Sequence, residues 1–245
     1  MNWRLILDGE YSGAQNMARD EALLRCADEN TAPVLRFYNW NPACVSIGRL
    51  QKNFAASPVF DFVRRPTGGR AVLHREYLPR ESRSVVGAYN WLSQGFIAGL
   101  EMLGVRAELA SRQTGGSTPA AANCFQSASQ CDFIVDGRKL IGAAQCRRHD
   151  VILQHGSILL EVEDSAWHQA IGGAMKQSVA LRALGVLQSR PEIIDALCEG
   201  MRLVWNVGFD NSQFLGAENQ MSEFLHNRKY ALAAWNENGI DSAEI

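Results

Sequence analysis

Residues 133–142 read FIV-DG-RKLIG, an Asp-Gly pair between two β-rich runs. A two-residue connection of this kind needs positive φ at both central positions. Asp tolerates that conformation and Gly adopts it freely, so the pair specifies a tight β-hairpin. The two flanking runs must then be antiparallel neighbours. A third run, VILQHGSILLEV (151–162), follows within reach of the same sheet. Few other features of the chain constrain the path of the backbone as closely.

The rest of the chain can be read around that hairpin. WRLIL (3–7) predicts a short strand, and SGAQNMARDEALLRCADEN (12–30) a first helix with Ser12 as N-cap. PVLRFYNW (33–40) and ACVSIG (43–48) read as two short β-rich runs broken by Asn41-Pro42. VFDFVRR (59–65), RAVLH (70–74) and VRAEL (105–109) are further short strands. Val85, Tyr89, Leu92, Phe96, Leu100 and Leu103 recur every three or four residues, which predicts one apolar helix face over 85–103. TGGSTPAAAN (114–123) is a loop. From Asp164 onward the pattern is helical, most clearly in 191–205 and 222–237. Strands first, with helices interleaved and then collected at the end, indicate an α+β fold with a mixed β-sheet flanked by helices. No linker divides the chain, so residues 1–245 are read as a single domain whose part from about 165 onward is mainly helical.

Composition narrows the function. A chain that is 47% hydrophobic and 20% charged can bury a substantial core. Its net charge of −2 provides no basic excess with which to bind nucleic acid. No apolar run approaches the roughly 18–20 residues of a membrane span. Six cysteines (Cys26, Cys44, Cys124, Cys131, Cys146 and Cys198) lack CxxC spacing, which disfavours a metal site. With no signal peptide at the start, they point to a reducing cytoplasm.

The residues able to do chemistry gather in a few places. RRPTGGRAVLH (64–74) flanks a Gly-Gly turn with arginines, yet it has neither Walker nor dinucleotide-fingerprint spacing. Cys124 ends the small-residue loop just before Phe125; it reads either as a buried structural cysteine or as a nucleophile carried on a loop. Lys139 begins the second hairpin arm and reads either as a solvated hairpin lysine or as a site residue. His74 and His155 each interrupt an apolar strand, where a core histidine is the ordinary explanation.

Taken together, NMARDEALL (16–24), LRFYNWNPACVSIGRLQ (35–51), RRPTGGRAVLH, DGRKLIGAAQ (136–145), ILQHGSILLEV (152–162), KQSVALRALG (176–185) and KYALAAWN (229–236) resemble the lipoate–protein ligase A family. That family is related to biotin protein ligases and octanoyltransferases. The chain looks most similar to the cysteine-dependent octanoyltransferases of the lipoate-ligase-like branch. The resemblance implies the biotin/lipoate protein ligase catalytic-domain fold and transfer of an octanoyl group from acyl carrier protein to a lysine of a lipoyl domain. That acceptor would be a glycine cleavage H protein or a dehydrogenase E2 subunit. The reaction implied is an N-octanoyltransferase with a cysteine thioester intermediate and no cofactor, metal, nucleic acid or membrane.

The resemblance also implies the site. Cys124 is the nucleophile and Lys139 its catalytic partner. Arg64, Arg65, Thr67, Gly68, Gly69, Arg70, His74, Gly142 and His155 bind substrate, with the arginines fitting a donor phosphate. Ile152 stands where the other octanoyltransferase branch has its cysteine, and no family nucleophile falls at Cys146. Arg75 replaces the family's aspartate, and the segment between His74 and the following helix is short. An ATP-dependent lipoate or octanoate ligase, a lipoyl amidotransferase and an inactive binder of lipoyl domains are the alternatives.

Overall fold

The N-terminal run becomes an interior strand, β1 (Asn2–Tyr11), with parallel neighbours on both sides. One neighbour is β2 (Val34–Ile47); the other is β9 (Gly208–Asn211), contributed from near the far end of the chain. Beyond β1, β2 pairs in parallel with β3 (Asp61–Arg64) and antiparallel with β4 (Val72–Glu76). The computed structural model describes residues 1–28, 30–52, 54, 59–68, 72–76, 85–110, 132–171 and 177–243.

The expected break at Asn41-Pro42 does not occur, since β2 continues through this cis peptide as a single 14-residue strand. Proline has no N–H to give to a ladder. Here the pairing with β4 shifts register between Asn39 and Cys44, so the proline sits where the ladder is interrupted. Helix α1 (Gly13–Cys26) lies against this sheet. Ser12 caps it as predicted, accepting from the Gln15 N–H while the Gln15 side chain accepts from the Ser12 N–H.

A second, antiparallel sheet runs β5 (Glu108–Leu109), β6 (Phe133–Val135), β7 (Arg138–Arg148), β8 (Val151–Ile158). Asp136 and Gly137 take φ of 49° and 73°, the two-residue turn that the sequence specifies. VRAEL is reduced to the two residues of β5. Helix α2 (Val85–Met102) follows the predicted periodicity and buries Leu92, Phe96 and Leu100 with Trp3, Phe37, Phe133 and Ile141 of both sheets. Each such side chain contributes about 1.5–3 kcal/mol on burial.

Helix α3 (Asp164–Ile171) precedes α4 (Arg190–Trp205), which crosses α2 through glycines. A Cβ on Gly200 would stand 2.2 Å from the Gly99 nitrogen, so the two backbones touch. Helix α5 (Gly216–Leu225) and a π-helical turn at His226–Tyr230 cover α1, and α6 (Ala233–Asn238) packs against β3 and that turn. Buried Lys229 in that turn is paired with Glu21 of α1 and with Asp241. The part after 165 therefore carries helices as expected, but also β9, which the helical reading had omitted.

Candidate active site

The turn 64–68 leaves β3 and docks on the end of β2. The Arg65 N–H donates to Ile47 O and the Arg49 N–H to Thr67 O, at 3.0 and 2.8 Å. Arg64 and Arg65 are both buried. The Arg64 guanidinium donates to five main-chain carbonyls, those of Gly48, Arg49, Gln51, Trp235 and Glu237. Arg65 donates to Ser46 O and Oγ and closes the turn on Gly68 O at 2.7 Å. The donor-phosphate role expected of Arg64 does not match that geometry. A guanidinium spread over backbone carbonyls is a brace, and it holds 48–51, 64–68 and α6 together. Gly68 itself is exposed, with open space where a Cβ would be.

From this turn a buried polar chain crosses between the sheets. Thr67 Oγ1 lies 2.6 Å from Nε2 of His155 on β8, and His155 Nδ1 lies 2.9 Å from Asp20 Oδ2 on α1. Burial would raise the Asp20 carboxyl. The hydrogen bond from His155, the Arg36 charge and the Tyr38 hydroxyl outweigh it and hold Asp20 below its ordinary 3.8. Arg36 donates to Asp20 at 2.7 Å and to Asn16 at 2.8 Å, and Tyr38 donates to Asp20 at 2.9 Å. Burial lowers His155 from 6.5, against the pull of Asp20, so the ring is neutral at pH 7. An ionised carboxylate only accepts. Nδ1–H therefore donates to Asp20, and Nε2 accepts the Thr67 hydroxyl.

Lys139 stands at the other end of the same sheet region. Its Nζ is 2.7 Å from Asp132 Oδ2, and both side chains are 1% exposed. Its backbone is pinned as well: Lys139 N–H donates to Gln177 O, and Lys139 O accepts from the Val179 N–H. Ala144 pairs with His155 in the β7–β8 ladder. Five residues of strand, about 17 Å at 3.4 Å per residue, thus separate Lys139 from the level of the Thr67–His155 contact. Between them Gly142 and Ala143 face Ser157 and Gly156. A Cβ on Gly156 would lie 2.7 Å from Gly142 O, so only glycine lets the strands run this close. A cavity of about 20 Å³ borders Phe96, Phe133, Ile141, Ala143 and Gln154. It has room for about one water, so an acyl chain entering there would have to displace side chains.

The sequence model of the lipoyl protein ligase A/B catalytic domain matches residues 12–199. The chain belongs to this family. It is 36% identical to the octanoyltransferase LipM of Carboxydothermus hydrogenoformans, over 95% of this chain and 97% of that protein. It is 33% identical to the octanoyltransferase LipM of Bacillus subtilis, over 96% and 97%. Among solved structures it shares the fold of a lipoate-protein ligase A bound with ATP (TM-score 0.84, 21% identity, covering 98% of this chain and all of that one). It also shares that of the bipartite lipoate protein ligase of Thermoplasma acidophilum, described with its E2 lipoyl domain (TM-score 0.81, 21% identity, both chains fully covered). The α+β reading and the family resemblance thus hold.

Within this lipoyl ligase fold, the structure brings Thr67 and His155 together and places Gly142 on β7, the strand that carries Lys139. Cys124, Gly69 and Arg70 lie outside the described residues, as does the short segment 77–84 after β4. His74 is placed as a residue of β4, in register with Cys44. Burial raises the thiols of Cys44 and Cys198 to about 12, and burial and Glu218 raise that of Cys26. None of these three is primed as a nucleophile. Among the described residues no group of His, Cys, Asp and Glu could hold a metal ion, and no helix is long and apolar enough to cross a membrane. Sequence reasoning missed Asp20, Arg36 and Asp132. Asn16 and Asp20 lie four apart on the buried stripe of α1 beside Met17 and Leu24, a polar pair on an apolar face that could have marked them.

Proposed function

We propose that this octanoyltransferase of protein lipoylation works through a thioester on Cys124. The observation that carries this reading is near-full-length identity of 33–36% to octanoyltransferases LipM. The donor is octanoyl acyl carrier protein, and the acceptor is a lysine of a lipoyl domain. In the first step the Cys124 sulfur bonds to the octanoyl carbonyl carbon. The carbon–sulfur bond to the carrier breaks, and the carrier thiol leaves with the proton from Cys124. In the second step the acceptor amine attacks the same carbon, an amide forms, and Cys124 regains its thiol. Thioester exchange is nearly isoenergetic and the amide lies downhill, so no ATP is consumed.

Lys139, as an ammonium, favours the thiolate and the oxyanion of the tetrahedral intermediate. Burying about seven carbons at ~0.8 kcal/mol each supplies most of the affinity for the chain. The stretch from Lys139 to the Thr67–His155 contact is long enough to lie along an extended octanoyl chain. Arg64 and Arg65 hold the turn bordering that stretch. The nucleophile must remain reduced, which places the reaction in the cytoplasm.

Intact mass after incubation with octanoyl acyl carrier protein, without ATP, tests the reading. A hydroxylamine-labile octanoyl adduct is expected on Cys124. Cys124→Ser should abolish adduct and transfer, and Cys146→Ser should leave both. Transfer by the serine variant that requires ATP would replace this reading with that of a ligase.

A further inference from the structure

Lys139 is held more tightly than a hairpin lysine needs to be. Its main chain is fixed to residues 177–179 and its side chain to Asp132, seven residues earlier across the β6–β7 turn. The second carboxylate oxygen of Asp132 faces the Ala143 N–H at 3.4 Å, and Asp132 O accepts from the Ala110 N–H at 2.9 Å. Asp132 is therefore anchored to the residue that follows β5 and to β7 at once, and its carboxylate stands where the lysine ends. The other charged side chains near this hairpin, Asp136, Arg138 and Glu108, are exposed, and Ser178 against β7 is uncharged. Asp132 is a charged group placed directly on Nζ.

We propose that Asp132 is a positioning residue for acyl transfer, fixing Lys139 and keeping it an ammonium so that the enzyme does not acylate itself. This rests on the assignment of Lys139 to the reacting thioester. A lysine at 1% exposure without a counter-ion releases its proton, because a lone charge is poorly tolerated away from water. The neutral amine is a good nucleophile. Beside an octanoyl thioester its nitrogen would bond to the carbonyl carbon, expel the thiol and yield an amide on Lys139. That amide does not turn over. The acceptor lysine performs the same chemistry productively, so the site must hold one amine protonated while it admits another that is not. The Asp132–Lys139 pair makes that distinction.

The test compares wild type, Asp132→Asn and Asp132→Glu, incubated with octanoyl acyl carrier protein and mapped by peptide mass before and after hydroxylamine. Wild type and Asp132→Glu should carry the group only as a hydroxylamine-labile ester. Asp132→Asn should accumulate a hydroxylamine-resistant octanoyl group on Lys139 and lose on the order of 100-fold in transfer rate, with its optimum moved to lower pH. A purely structural aspartate would reduce activity without creating the stable adduct or moving the pH profile.

N-succinimidyl octanoate, which needs no transferase, provides a second arm. It should label Lys139 in Asp132→Asn at neutral pH, and in wild type it should spare Lys139 up to about pH 9 while labelling surface lysines. Failure of every form with the carrier substrate, together with this labelling pattern, would sink the octanoyltransferase reading and the role in acyl transfer with it, leaving only that Asp132 keeps Lys139 protonated. Labelling of wild-type Lys139 at neutral pH, or an Asp132→Asn enzyme with Lys139 unmodified in both arms, overturns the proposal, and the wild-type arm needs no variant to fold.

Discussion

His155 is the residue through which both sheets and α1 meet, and its protonation sets the acid limit of the fold. Burial depresses its folded-state pKa below 6.5, the value it regains on unfolding. The unfolded chain therefore binds more protons as pH drops below about 6.5, and stability falls with it. Asp20, held below 3.8, acts in the same direction at lower pH. Denaturant midpoints should fall from pH 7.5 to pH 5, and His155→Gln should remove most of that slope at a lower starting stability. A His155→Gln variant with the wild-type slope would place the titrating group elsewhere. Arg64 shows why such roles escape a reading of the sequence. Its five acceptors are backbone carbonyls, which every residue has, and two of them lie more than 170 residues away. The family pattern marked the arginine, but only the fold reveals that it serves the main chain. Thr67 and His155 were both singled out in the sequence, whereas their contact and its continuation to Asp20 depend on the packing of α1 against β8, which no local pattern encodes.

Elements were legible where local chemistry forces them. Asp136-Gly137 fixed the hairpin, Ser12 fixed the start of α1, and the apolar repeat fixed α2. The reading failed where long-range pairing decides. GFDN (208–211) is too short for any alternation to show, and it is a strand only because β1 offers it an edge. Asn41-Pro42 looked like a break because the sequence cannot show where the β2–β4 ladder skips. The α2–α4 crossing is another long-range fact, and it carries a prediction. With the Gly200 position 2.2 Å from Gly99 N and 2.5 Å from Gly95 O, even one methyl must push the helices apart. Gly200→Ala should cost about 1–3 kcal/mol despite the better helix propensity of alanine, read as a lower guanidinium midpoint. A neutral or stabilising result would mean that the helices cross less closely than these contacts require.

Across the whole molecule, the second sheet and its hairpin are built from residues close in sequence, while the first sheet is not. Asn2 pairs with Gly208, and Arg4 is clasped by Ser212, Gln213 and Glu218. On a ribosome, that arrangement separates manufacture from completion. β1 emerges long before β9, and its second edge stays open until about 200 further residues have been synthesised. Open strand edges are templates for wrong partners. Nascent chains ending near residue 206 should therefore remain protease-sensitive at the α1–β2 connection, and chains extended through Glu218 should become resistant. Equal resistance at both lengths would show that β1 and β2 are secure without their last neighbour. A cell making this protein has to shelter β1 while the long intervening stretch is made, and residues 208–218 release it from that need.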